Sequence, residues 1–170
     1  PPRATKSSSA AASDVYNRQD SYNNSIRLIS DSKVSTVAGS SIGNDSYGFP
    51  MGGLVDGDAE KAVFNKPRAV VVNGQGTIYV ADTGNNVIRK ISQGKVTTYA
   101  GTGKAGFRNG SVRDAQFNAP SGLALDKAGN LYVADTLNNV IRKISPQGVV
   151  TTYAGNNTGE ALSLIHISAP

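Results

Sequence analysis

Residues 79–92 read YVADTGNNVIRKIS, and residues 132–145 read YVADTLNNVIRKIS. Thirteen of the fourteen positions agree, at an offset of 53 residues, which chance does not supply. The identity spreads outward from this stretch. FNKP, ending at Pro67, answers FNAP, ending at Pro120, and KVTTYAG, ending at Gly101, answers VVTTYAG, ending at Gly155. A third, partial copy lies upstream, where DSYNNSIRLIS from Asp20 answers DTGNNVIRKIS from Asp82 at an offset of 62. The nine additional residues fall between Gly39 and Pro67.

Each copy breaks into short runs separated by turn residues. After Pro120 come GLALD, the turn KAGN, LYVAD, the turn TLNN, VIRKIS, the turn PQG and VVTTYAG. The runs are rich in β-branched and aromatic residues, bounded by Gly, Asn or Asp, and too short and aperiodic for helices. A copy therefore predicts a four-stranded antiparallel meander. VIRKI and LYVA place apolar groups on both faces, so the sheet must be covered on both. Radial repetition does this, each blade packing between two neighbours. The expected fold is all-β, a β-propeller of four-stranded antiparallel blades, incomplete in this chain: two full blades plus a partial one.

The pattern YVADTxNNVIRKI followed by VTTYAG, with GDA and FNxP between copies, resembles the NHL repeat. The resemblance covers about Asp20 to Gly155, and its nearest flavour is the NHL arrays of secreted or surface bacterial proteins. Those arrays often end in a stalk-type module, which nothing here matches. The implied organisation is a partial blade at 20–39, an insert at 40–63, and blades at 64–101 and 117–155, within a propeller segment spanning 20–158. Further blades of the same chain are expected, since propellers typically close with about four to eight. Residues 1–19, with their Ser/Ala-rich stretch, predict a flexible or non-native segment, either a linker or a shifted reading frame. The tail 159–170 contains LSLIHIS, which resembles a translated transposon end from sequencing libraries. It is set aside as an artefact, against the alternative of an ordinary strand.

Composition narrows the function classes. The 170 residues hold no Cys, and the single His, His166, lies in the suspect tail. The repeats thus offer no His base, no Cys nucleophile and no thiolate metal site. No apolar run reaches membrane-spanning length. The formal charge of +5 comes from scattered Lys and Arg, unlike the clustered footprint of most nucleic-acid binders.

Asp20, Asp82 and Asp135 each end the second run of a copy and suggest a ring of acids. Turn chemistry, with the carboxylate bonded to the backbone two residues on, is the favoured reading. Arg27, Arg89 and Arg142 follow seven residues later and are expected to pair with that Asp or a neighbouring carbonyl. Asp56, Asp58 and Glu60 lack calcium-loop spacing. No catalytic residue, metal or cofactor is assigned.

In a meander, alternate turns share an end. The turns 22–24, 83–86 and 136–139 should therefore lie on one rim with the 40–63 insert and the 102–116 connection. That rim carries the partner-binding candidates Tyr22, Asn24, Tyr47, Phe49, Asn86, Lys104, Phe107, Arg108 and Asn139, with Met51 close to them. The leading functional expectation is a non-catalytic scaffold that recognises a protein or an anionic cell-wall polymer at the bacterial cell surface. Lactonases and an amidating lyase resemble this fold, so a propeller hydrolase or lyase with active residues in further blades is an alternative. An RNA-binding NHL propeller is another.

Overall fold

The computed structural model describes residues 16–30 and 33–156. The tail from Leu162 and His166 lie outside the described residues. The first sheet contains β1 (Tyr16–Asp20), β2 (Ser25–Ser30) and β3 (Lys33–Ala38), in that order. The second is built from β4 (Gly57–Asp58), β5 (Pro67–Val72), β6 (Ile78–Asp82), β7 (Val87–Ser92) and β8 (Lys95–Ala100). The third repeats it with β9 (Gly110–Ser111), β10 (Pro120–Leu125), β11 (Leu131–Asp135), β12 (Val140–Ile144) and β13 (Val149–Gly155). All pairings between these strands are antiparallel. No described helix is long and apolar enough to cross a membrane.

The two complete copies form the expected four-stranded meanders and gain one strand each. β4 adds to the outer edge of β8, and β9 to that of β13. The connection before a blade thus touches the blade's outer edge before running inward to its first strand. The expected boundary at residue 20 moves: β1 starts at Tyr16 and pairs with β2 along its length. The polar run YNRQD has weak strand propensity, but register against SIRLIS supplies what propensity does not.

The two-faced strands resolve by period-2 alternation. In β6, Ile78 and Val80 point to the first blade, where they join Ile26, Ala38, Phe64 and Val96. Ala81 of β6 and Ile88 of β7 point the other way, into a cluster with Phe117, Leu131, Val133 and Val150. Each blade is therefore glued to the next by its own apolar layer, with β10 packed on β5 and β6, and β5 on β1. Gly101, at the end of β8, has φ +105°, and a Cβ there would sit 2.9 Å from the Asn86 carbonyl oxygen. Its equivalents Gly39 and Gly155 are crowded the same way, so each blade ends on a backbone approach open only to glycine.

The turn between β10 and β11 carries a pH signature. Asp126 accepts hydrogen bonds from the Asn130 side chain and backbone and from the Tyr132 hydroxyl. These donors, the Asn130 side chain foremost, hold its carboxyl below the ordinary value of 3.8. A depressed acid stabilises the fold above its unfolded-state pKa, and that stability is lost as pH falls through the folded one. On acidification below about pH 4, Tm should therefore fall more steeply for the parent chain than for Asp126→Asn. Equal slopes in calorimetric scans would refute this assignment.

Candidate functional site

Asp82 and Arg89 occupy neighbouring strands, and both side chains are fully buried. Asp82 Oδ2 lies 2.9 Å from Arg89 Nη1 and accepts from Asn85 Nδ2 at 2.8 Å. Its Oδ1 accepts the backbone N–H of Asn65 at 2.7 Å. Arg89 also donates to the Val63 and Val55 carbonyls and to Asp56 Oδ1. Its guanidinium carbon stands 4.9 Å over the Phe64 ring. The third blade repeats this part for part. Asp135 takes Arg142 Nη1, Asn138 Nδ2 and the Asn118 backbone N–H, all at 2.7–2.8 Å. Arg142 reaches the Gln116 and Arg108 carbonyls and Asn109 Oδ1.

These residues staple the segment that precedes a blade onto that blade. The local turn reading of the aspartates is corrected: the backbone partners of Asp82 and Asp135 lie seventeen residues upstream. Burial pushes the Asp82 carboxyl up, opposed by its donors from Asn65, Asn85 and Arg89. Asp20 and Arg27 depart from the pattern. Among the described residues, Asp20 receives Asn23 Nδ2, while Arg27 donates to Thr36 Oγ1. Asp56 and Asp58 are engaged by Arg89 and Lys95 respectively. No group of three or more His, Cys, Asp or Glu among the described residues is placed to hold a metal ion.

A second device gives two of the candidate asparagines a structural bond. Asn24 and Asn86 have φ of 52° and 56°, the left-handed region that Asn tolerates. Asn24 Oδ1 accepts the Lys66 N–H at 2.8 Å, and Asn86 Oδ1 accepts the Ala119 N–H at 2.9 Å. Each thus latches its blade to the head of the next. Beside them, Ser21 donates to the Pro67 carbonyl and Thr83 to the Pro120 carbonyl, at 2.5 and 2.6 Å. Sequence reasoning placed these side chains on the right turn but missed the partner, because each Asn and its N–H are separated by more than thirty residues. The signal was there in the joint repetition of DxxNN and FNxP.

What remains exposed gathers at the insert. Aligning Phe64 with Phe117 shows that residues 52–63 match the next connection, so the nine extra residues lie between Ser40 and Gly52. They form a hairpin: the Ile42 N–H donates to the Met51 carbonyl and the Met51 N–H to the Gly43 carbonyl. Asp45 caps its tip through bonds from the Tyr47 and Phe49 N–H groups, both 2.9 Å. Asn24 Nδ2 ties the hairpin to the first blade through the Pro50 carbonyl. Between hairpin and turn opens a cleft of about 520 Å³, lined by Tyr22, Ile42, Asp45, Phe49, Met51 and Lys66 among others. Tyr22 is 85% and Phe49 62% exposed. Of the candidates, Tyr22, Asn24 and Phe49 meet here, with Lys66 added; Tyr47, Asn86, Lys104, Phe107, Arg108 and Asn139 do not line it. Phe107 stacks on Arg142, 4.9 Å away.

Radially stacked antiparallel blades, latched head to turn, define a β-propeller segment. The two complete blades are NHL repeats, and the chain belongs with the NHL-repeat propellers: that family matches residues 64–91 and 117–144. The chain is 43% identical over 91 residues to Protein SUPPRESSOR OF QUENCHING 1, chloroplastic, from Arabidopsis thaliana, covering 52% of this chain and 9% of that protein. It is 35% identical over 130 residues to NHL repeat-containing protein 2 from Bos taurus, covering 72% and 18%. It thus spans less than a fifth of these relatives. An auxiliary nutrient binding protein from Bacteroides thetaiotaomicron superposes with a TM-score of 0.64 at 25% identity, over 82% of this chain and 35% of that one.

Proposed function

We propose that this propeller segment is a non-catalytic recognition scaffold at the bacterial cell surface, and that it binds its partner, a protein or a cell-wall polymer, through the hairpin-bearing rim. The observation that carries this reading is the cleft: aromatic faces left in water on a capped, tethered hairpin. Scattered apolar side chains need no explanation, but a concave apolar patch lined also by one cation and one anion does. The similarity to a protein described as nutrient-binding is in keeping with binding. Between the two partner classes the aromatic faces of the cleft favour a cell-wall polymer. Its charged lining residues are Lys66 and Asp45, and the Asp45 carboxylate accepts the Tyr47 and Phe49 N–H groups through Oδ1. Aromatic rings offer stacking surfaces for sugar rings, and Lys66 offers a counter-charge.

Titration calorimetry of the intact chain with polygalacturonate tests this, with neutral dextran and poly-U RNA as comparisons. The triple change Tyr22→Ala, Phe49→Ala, Lys66→Gln is expected to weaken polygalacturonate binding by about thirtyfold or more, the scale of lost hot-spot contacts. Unchanged affinity in a folded variant removes the cleft from the reading. Tighter binding of poly-U moves the assignment to RNA.

A further inference from the structure

A single side-chain amide joins two walls of the cleft. Asn24 is 3% exposed, and its side chain bonds in opposite directions. Oδ1 accepts the Lys66 N–H at 2.8 Å, and Nδ2 donates to the Pro50 carbonyl at 3.0 Å. One partner only donates and the other only accepts, so a single orientation of the amide satisfies both. Lys66 has φ 52°, a left-handed backbone that a lysine keeps only where its surroundings hold it. The bond from Asn24 is part of that hold, and it fixes the backbone that carries the Lys66 side chain at the cleft. On the other wall, the hairpin leaves the blade between two base contacts, the Ser40 N–H to the Ala62 carbonyl and the Gly53 N–H to the Phe64 carbonyl. Beyond that base, among the described residues, the Asn24–Pro50 bond is the one hydrogen bond from residues 41–51 to another segment. Pro50 follows Phe49, so the tether sits beside the ring that lines the cleft. Asn86 shows the same position without a hairpin. Its Oδ1 takes the N–H of Ala119, which has φ 51°, and its Nδ2 meets no acceptor among the described residues.

We infer that Asn24 is the positioning residue of the cleft: it sets the separation between Phe49 on the hairpin and Lys66 on the blade, and so the shape a ligand meets. This role rests on the recognition reading of the cleft and adds the group that makes the cleft rigid before a ligand arrives. A hairpin free to swing must be ordered at the moment of binding, and that ordering costs affinity. A tether that has already ordered it removes the cost. Each polar atom of the Asn24 side chain already holds a protein partner, so its effect on affinity passes through Phe49 and Lys66. Asn86 latches the next joint with the same bond and holds no hairpin, which makes it the internal control.

The test reads hairpin mobility and polymer affinity together. The chain has no Trp, so Tyr47→Trp places a unique indole on the hairpin, outside the cleft lining, and the parent and every variant carry it. Asn24→Gly and Asn86→Gly each remove one latch oxygen while keeping the left-handed backbone. Both should lower Tm by about 2–4 °C, the scale of one lost hydrogen bond. Asn24→Gly alone should add a nanosecond segmental component to the indole anisotropy decay, and it alone should weaken polygalacturonate binding, by about tenfold. Asn24→Asp keeps the acceptor for the Lys66 N–H and loses the donor to Pro50, so its indole should be as mobile as in Asn24→Gly. An indole as rigid as in the parent, in either Asn24 variant, overturns the inference. A parent that binds polygalacturonate, beside an Asn24→Gly variant that binds it equally well, keeps the recognition reading and overturns the positioning role. A parent that binds none of polygalacturonate, dextran and poly-U removes the recognition reading and the affinity role with it, and the anisotropy then decides the tether alone.

Discussion

Arg142→Met is expected to destabilise the chain by about 3–5 kcal/mol, the cost of leaving one member of a buried ion pair uncompensated. Arg142 and Asp135 are both fully buried and 2.8 Å apart, so removing the guanidinium leaves a buried carboxylate without its counter-charge. The guanidinium also satisfies the carbonyls of Arg108 and Gln116, which the thioether cannot. Asp135→Asn combined with Arg142→Met should recover part of the loss, because the charge is gone while the Asn118 contact is kept. Arg27→Met should cost only about 1 kcal/mol, since Arg27 is half-buried and donates to a hydroxyl. Urea unfolding followed by circular dichroism measures all three. A loss below about 1 kcal/mol for Arg142→Met, as for a surface pair, would mean that the staple is not buried in solution.

Phe117→Ala should cost a similar amount, about 3–5 kcal/mol. The ring has no exposure, packs against Ala81 and Ile88 of the preceding blade, and lies 5.2 Å beneath the Arg142 guanidinium carbon. It belongs to the interface more than to either blade, so the damage should be distributed unevenly. Blades couple to nearest neighbours, and the change should raise amide exchange through β10 to β13 while β1 to β3 keep their protection. Uniform loss across all three sheets would show that the segment unfolds as one unit and that the interfaces are not the weak points.

The blades were legible because repetition and alternation are local signals. Thirteen shared positions, the turn asparagines and the two-faced runs were enough to set strand order and to require stacking. The missed features are relational. YNRQD gives no strand signal of its own, and only its register against SIRLIS makes it β1. The aspartates resemble ordinary turn residues until the Asn65 and Asn118 N–H groups, brought from seventeen residues upstream, arrive on them. Asn24 and Asn86 look like rim decoration for the same reason, since nothing near them in sequence reveals the N–H they hold. The aromatic insert was visible as an extra nine residues, but its shape was not. Asp45 and the Asn24–Pro50 bond decide that it is a capped hairpin leaning over a cleft.

The two-residue strands β4 and β9 have a consequence for self-association. Without them β8 and β13 would each offer a full row of free N–H and C=O groups, the template on which foreign chains add and fibrils grow. β4 covers the Lys95–Val96 end of β8, and β9 the Val149–Val150 end of β13. Each cap is too short to serve as a template itself. At β4 it also carries a charge pair, Asp58 with Lys95, so that an incoming strand would have to displace an ion pair to bond there. The same connection that delivers Phe-Asn-X-Pro to the inner strand thus blunts one end of the outer one, with no extra residues.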